Sequence, residues 1–192
     1  MGKTNIGIFA SGSGSNAEVL INYFKFHPTI SVNAVFTDNS KAPVIERATR
    51  LKTPVVVFEQ TQTEPTGYLH QKLDNYDINF IVLAGYLKLI PDWLVLRFHN
   101  RMVNIHPALL PKYGGKGMYG NHVHKAVIAA GEKESGITIH LVDKEYDSGK
   151  ILFQEKCSVD PNDTPETLAA KIHRLEHKFY PMIIEKYISS LR

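Results

Sequence analysis

Asn104-Ile105-His106-Pro107, running into Ala108-Leu109-Leu110-Pro111, carries the residue types in this chain best suited to chemistry. Arg101-Met102-Val103 reads as the start of a strand, so side-chain alternation sets Asn104 and His106 on one face and Ile105 on the other. Their Cα atoms then lie ~7 Å apart along that face. Pro107 cannot extend a central ladder, so the amide and the imidazole sit where a strand gives way to a loop, the edge at which parallel sheets hold ligands. A neutral amide donor beside a titratable imidazole suits acyl transfer, with the amide stabilising a developing oxyanion and the imidazole handling the proton. The two residues alone fit equally well a loop-satisfying amide and an ordinary half-buried histidine.

A carboxylate could complete the group. Asp147, in Asp147-Ser148-Gly149, is by default a turn residue that caps its own loop. Only if that loop folds back does it become a partner of His106, favouring the charged imidazole and raising its pKa. His122-x-His124 invites a metal, but residues two apart on a helix do not share a face, and no metal is expected.

Anion binding points to a different place. Ser11-Gly12-Ser13-Gly14-Ser15-Asn16 joins an apolar strand, residues 3–10, to a helix with Ala17, Leu20, Ile21 and Phe24 on one face. Ser15 and Glu18 have capping-box spacing. Such a turn offers backbone N–H groups and a positive dipole end to a phosphate. No Lys-Ser/Thr follows, so it is not a P-loop; Gly12-x-Gly14-x-x-Ala17 does meet the relaxed dinucleotide fingerprint, with Asp38 available for a ribose. The competing reading is a tight connection in which Ser15 merely caps.

The elements that must position these residues alternate. Strands are expected at 30–37, 54–58 and 78–84, with helices near 43–51 and 68–76 between them, which means a parallel sheet. The run 78–84 is the most continuously apolar, as befits a central strand. For Leu87, Leu89 and Ile90 beyond it, periodicity favours core packing, and Pro91 opens a helix carrying Trp93, Leu94 and Phe98. Four glycines between residues 113 and 120 make a mobile loop, a lid or flank of the site. Asn121 then caps a helix burying Val123, Ala126, Val127 and Ala130. A strand at 136–142 and a late edge strand at 151–159 precede a long helix opened by Thr164-Pro165-Glu166, whose stripe Leu168, Ile172, Leu175 and Phe179 docks on the sheet until Pro181 breaks or kinks it.

With 192 residues, 43% of them hydrophobic, the chain can build its own core. A net charge of +3 with dispersed basic residues gives no nucleic-acid footprint. The one cysteine, Cys157, and the lack of a signal peptide or a long apolar run at the N-terminus point to the cytoplasm and to no membrane partner.

Four motifs in order, Ser11-Gly12-x-Gly14-Ser15-Asn16, Leu83-Ala84-Gly85-Tyr86-Leu87, Asn104 to Pro111, and Gly136-x-Thr138-x-His140 followed by Asp147-x-Gly149, resemble phosphoribosylglycinamide formyltransferases over nearly the whole chain. The resemblance implies a single domain over residues 1–192, with a phosphate-binding half (1–100) and a catalytic and folate-binding half (101–192). Its fold would be α/β, a mostly parallel, doubly wound, Rossmann-type sheet. It implies formyl transfer from 10-formyltetrahydrofolate, as co-substrate, to phosphoribosylglycinamide in purine biosynthesis, with small-molecule partners only and a monomer or homodimer. Asn104, His106 and Asp147 would be catalytic and His140 a support. Gly14, Ser15, Asn16, Pro107 and Glu176 would hold the ribonucleotide, although the helix pattern alone makes Glu176 partly exposed. Leu87, Lys88, Leu89, Ile90 and Asn104 would receive the folate. The chain departs from the family at the glycine-rich excursion 114–120 and in lacking an arginine between Phe58 and Gly67. A nucleotide-dependent oxidoreductase and a non-catalytic nucleotide-binding module remain as other readings of the glycine turn.

Overall fold

The computed structural model describes residues 2–191, which form two compact units meeting in sequence at Val103 and Asn104. In the first, β1 (Thr4–Phe9), β2 (Ile30–Thr37), β3 (Val55–Val57) and β4 (Phe80–Leu83) alternate with α1 (Ser15–Phe24), α2 (Val44–Arg50) and α3 (Tyr68–Asn75), and α4 (Asp92–Arg97) follows. β1 pairs in parallel with β2 and β4, and β2 with β3. All four residues of β4 are buried, the property that marked it as central in the sequence. Phe9 stacks on Phe36 at 5.0 Å and meets Phe58 and Tyr86 edge-on, so an aromatic cluster gathers at the end of β1.

In the second unit β5 (Met102–His106, entering from the first) is followed by α5 (Asn121–Ala129), β6 (Glu134–Leu141), β7 (Ile151–Ser158) and α6 (Pro165–Ser190). β7 runs antiparallel to β6 and its burial alternates, as expected of an edge strand with one wet face. The whole sheet has seven strands in the order β3-β2-β1-β4-β5-β6-β7, so the fold is α/β with a mostly parallel sheet flanked by helices. Among the described residues no helix is long and apolar enough to cross a membrane.

Several local expectations change. Neither Ser15 nor Asn121 caps its helix: Gly14 and Gly120, both at positive φ, hold the N-cap positions without side-chain caps. A residue already inside the helix cannot bend its side chain back over the first turn, so the expected capping box does not form, and the Glu18 carboxylate pairs with Arg47 and Arg50 instead. On α5, His124 is buried in place of Ala126 and Ala130. The buried stripe of α6 is Leu168, Ile172, Glu176, Tyr180, Ile184 and Ile188, while Leu175 and Phe179 are half-buried. A strict i, i+4 stripe runs through a carboxylate, which apolar periodicity steps around. The helix continues through Pro181, since α6 extends to Ser190. Its start is a capping box in which Thr164 and Thr167 satisfy each other's backbone N–H groups.

Gly14 is fixed by two independent constraints, a φ of 75° and the proximity of Val44, whose Cβ and Cα would lie 2.6 and 2.8 Å from an added Cβ. Gly14→Ala is therefore expected to cost about 2–4 kcal/mol, combining left-handed strain with overpacking. A denaturation midpoint unchanged from wild type would show that the turn adapts.

Candidate active site

Within the first unit the glycine turn and the segment after β4 are tied together by one hydroxyl. Ser11 Oγ donates to Asp38 Oδ1 at 2.6 Å and accepts from the Leu87 N–H at 3.1 Å, and the Ser11 N–H donates to the Gly85 carbonyl at 3.0 Å. Asp38, read as a ribose acceptor in the dinucleotide pattern, thus has one oxygen engaged by Ser11. The turn delivers Ser15 and Asn16 as the first residues of the ten-residue α1, where backbone N–H groups have no partner within the helix. Beyond Gly85, at φ 78°, Leu87 and Leu89 are 41% and 45% exposed, Lys88 is exposed, and only Ile90 is buried. Core packing of the two leucines is therefore overturned: the chain between Gly85 and Pro91 has no regular structure to turn them inward.

Within the second unit β5 ends as the sequence implied, with Asn104 and His106 two apart and Pro107 just beyond the strand. The Thr138 hydroxyl on β6 donates to the Ala108 carbonyl at 2.7 Å and accepts from the Leu110 N–H at 3.0 Å, fixing the exit of the strand. The loop after β6 brings Asp147 back. Its Oδ2 lies 3.4 Å from His106 Nδ1, and its Oδ1 lies 3.4 Å from Asn104 Nδ2 and 3.5 Å from His140 Nε2. The Gly115 N–H donates to Oδ2 at 2.9 Å. Asp147 is thus no turn-capping residue; Asp143 takes that part, accepting from the Glu145 N–H and the Ser148 hydroxyl.

Tautomers follow from the acceptors. His106 Nε2 faces the Tyr113 carbonyl at 2.7 Å and must donate to it, which leaves Nδ1 turned toward Asp147. His140 donates from Nδ1 to the Leu141 carbonyl at 2.8 Å, so its Nε2 accepts from Asn104 Nδ2 at 3.1 Å. One amide hydrogen of Asn104 is therefore committed to His140. The other points loosely toward Asp147, at a distance longer than a good hydrogen bond, and can transfer to an incoming oxygen. His106 Nδ1, when protonated, addresses the same side.

Electrostatics correct one expectation. His106 is 3% exposed, and burial lowers its pKa by more than Asp147, the Tyr113 carbonyl and Glu176 raise it, with His140 adding to the fall. The carboxylate is a partner of the ring, as expected, yet the ring titrates below its ordinary value because desolvation of an imidazolium outweighs one charge at 3.4 Å. Burial pushes the Asp147 carboxyl up, and His140, the His106 charge and the Gly115 N–H together outweigh it and hold it below the usual aspartate range.

Glu176 is 5% exposed on α6, not partly exposed, and accepts from His173 Nδ1 at 2.9 Å, a hydrogen bond that raises the His173 pKa. His122 is exposed and His124 2% exposed, so the two do not face one ligand. Among the described residues no group of three or more His, Cys, Asp or Glu side chains is arranged to hold a metal ion. The Tyr113 carbonyl and the Gly115 N–H went unseen in the sequence, because a backbone group carries no residue-type signal. The only hint was the dense glycine run that allows the chain to approach so closely.

At the strand edge of an α/β sheet, an amide, an imidazole and a carboxylate come together in an arrangement suited to group transfer. Residues 4–184 match the formyl transferase family, and the chain belongs to it. Among its relatives is the phosphoribosylglycinamide formyltransferase of Bacillus subtilis (strain 168), 37% identical over 186 residues that cover 94% of this chain and 93% of that one. The chloroplastic phosphoribosylglycinamide formyltransferase of Arabidopsis thaliana is 42% identical over 194 residues, covering 95% of this chain. The chain spans 64% of that protein's length and 60% of its counterpart from Vigna unguiculata. The crystal structure of phosphoribosylglycinamide formyltransferase from Bacillus halodurans superimposes with a TM-score of 0.87 at 37% identity, covering 98% of this chain and 97% of that one.

Because burial is the leading cause of its shift, His106 should titrate below 6.5 in the ligand-free protein, and Asp147→Asn, which removes an upward influence, should move it lower still. A histidine with a depressed pKa contributes stability that is complete above its unfolded value and lost as the pH falls through its folded one. An NMR titration reads the midpoint directly; a value above 6.5, or an upward move in Asp147→Asn, overturns the balance of causes.

Proposed function

We propose that this chain transfers the formyl group of 10-formyltetrahydrofolate to the amine of 5'-phosphoribosylglycinamide, a step of de novo purine biosynthesis. The observation that carries the proposal is the convergence of Asn104, His106 and Asp147 at one strand edge, in a chain of the formyl transferase family. The names of its relatives supply the substrates. In this reading the backbone N–H groups of Gly14, Ser15 and Asn16 take the phosphate, Pro107 and Glu176 line the ribonucleotide, and Leu87, Lys88, Leu89 and Ile90 receive the pterin beside Asn104. Residues 1–192 then act as one formyltransferase domain, as a monomer or homodimer in the cytoplasm, a compartment the lone Cys157 suits.

The chemistry needs no covalent enzyme intermediate, because a bound amine is already the nucleophile and binding supplies proximity. The amine nitrogen bonds to the formyl carbon, and the carbonyl oxygen becomes an oxyanion that accepts from Asn104 Nδ2 and protonated His106 Nδ1. The Asp147 carboxylate stabilises that imidazolium and relays the proton lost by the amine toward N10 of the folate as the carbon–N10 bond breaks. His140, accepting one amide hydrogen of Asn104, aims the other. Ser11 engages one oxygen of Asp38 and leaves the other, so it is membership of the formyl transferase family that favours formyl transfer over a dinucleotide-dependent oxidoreductase.

Mixing the protein with both substrates should release tetrahydrofolate; no release rejects the proposal. Asn104→Ala should lose roughly 3 kcal/mol of transition-state stabilisation by analogy with oxyanion-hole deletions. Asp147→Asn should lower turnover by orders of magnitude with ribonucleotide affinity nearly intact, and the double variant should lose less than the sum, since both act on one transition state. Additive losses, or near-wild-type turnover in Asp147→Asn, reject these roles.

The exposed leucines make a separate test. Leu89→Ser should raise the KM for the folate by about tenfold, the worth of one buried leucine contact, without moving the melting temperature. A loss of stability with unchanged folate KM would return Leu89 to packing.

A further inference from the structure

The contact that fixes the His106 ring is made by a backbone carbonyl, and that carbonyl belongs to an unusual residue. Tyr113 has a φ of 58°, a conformation most non-glycine residues avoid. It also borders a cavity of about 200 Å³, together with Leu109, Val127 and Ser135, so packing does not hold it on that side. What holds it is Glu132, in the connection between α5 and β6: its Oε1 accepts both from the Tyr113 hydroxyl at 2.9 Å and from Lys112 Nζ at 2.8 Å. On the other side of the carbonyl, the Gly115 N–H is bound to Asp147. An added Cβ on Gly114 would lie 2.6 Å from Leu110 Cδ2 and 3.4 Å from Asp147 Cβ, so a side chain there would require Leu110 to shift.

Residues 112–115 are therefore pinned at both ends, with the His106 acceptor in the middle. We infer that Glu132 is a positioning residue for formyl transfer: by tethering Lys112 and Tyr113 it holds the Tyr113 carbonyl on His106 Nε2, which fixes the proton there and keeps Nδ1 on the side of Asp147 and Asn104. The inference rests on the formyl-transfer reading above for its catalytic consequence, but the tether and the tautomer are properties of the ligand-free protein. Lys112 is 69% exposed at its side chain, so its pairing with Glu132 adds little to stability and can be removed without unfolding the chain.

Imidazole 15N shifts in the ligand-free protein, taken above the His106 titration, report the tautomer. Wild type should show the proton on Nε2. Glu132→Ala should give a mixture of tautomers and lower kcat about tenfold, the scale of loss for a slightly misplaced catalytic group, while leaving the KM for phosphoribosylglycinamide unchanged. Glu132→Gln keeps an acceptor oxygen and should recover most of both signals, which a charge-dependent role would not. Tyr113→Phe, which keeps the carbonyl but cuts the hydroxyl tether, should fall between. A single Nε2–H tautomer retained in Glu132→Ala, or kcat lost with the tautomer unmoved, overturns the inference. A tautomer that responds as stated in a protein releasing no tetrahydrofolate overturns formyl transfer instead, and leaves the tether standing.

Discussion

The second unit of this chain is arranged around one ionised carboxylate, Asp147, kept where only a tenth of its side chain meets solvent. A charge taken out of water must be compensated by nearby donors or it is protonated. Here the standing donors are the Gly115 N–H in the loop after β5 and the Asn104 amide on β5. The His106 ring on β5 and the His140 ring on β6 lie 3.4 and 3.5 Å away and compensate the carboxylate further when they carry a proton toward it. Because these groups come from β5, β6 and the loop after β5, the carboxylate ties the loop that carries it to the glycine-rich loop that donates to it. Its own φ of 55° is one mark of that constraint.

Burial and charge act in opposite directions on the ring beside it. An imidazole as enclosed as His106 favours its neutral form, so it rests without a proton on Nδ1, while the groups around it are placed to receive the cation if a developing oxyanion draws it out. A depressed pKa also makes the imidazolium a stronger acid, hence a better donor to an oxyanion once formed. Asp147, pushed up by burial, is held below the usual aspartate range by His140, the His106 charge and the Gly115 N–H. Two neighbouring groups with separated affinities for the proton can divide the work, one stabilising charge and the other relaying the proton.

The alternation of strands and helices was legible because burial on a sheet imposes a period that residue types reveal, and β5 ended at Pro107 for a reason a sequence can state. Helix beginnings were less legible: Ser15 and Asn121 looked like caps, but the glycine before each takes the N-cap position. The α6 stripe slid to Leu175 and Phe179 because a buried Glu176 breaks the apolar pattern. Asp147 could be recognised only through resemblance, since its local signal is that of a turn residue and the turn belongs to Asp143 four residues earlier. The Tyr113 carbonyl had no signal at all.

The segment after β4 shows why exposure can say more than burial. It is anchored at one end by the Ser11 hydroxyl, which takes the Leu87 N–H, and at the other by Ile90, which is 3% exposed. Two leucines between those anchors are turned outward, at 41% and 45% exposure, in a unit that buries most of its other large aliphatic side chains. Water contact with each leucine is unfavourable, and nothing in the short span from Gly85 to Pro91 forces both to face outward except the two anchors themselves. Scattered single leucines on a surface need no explanation, but Leu87, whose N–H is held by the Ser11 hydroxyl of the glycine turn, and Leu89 two residues on present apolar surface just beyond that turn. A planar, largely apolar ring system is the kind of ligand such a surface suits, and this gives the folate reading a support independent of the names of its relatives.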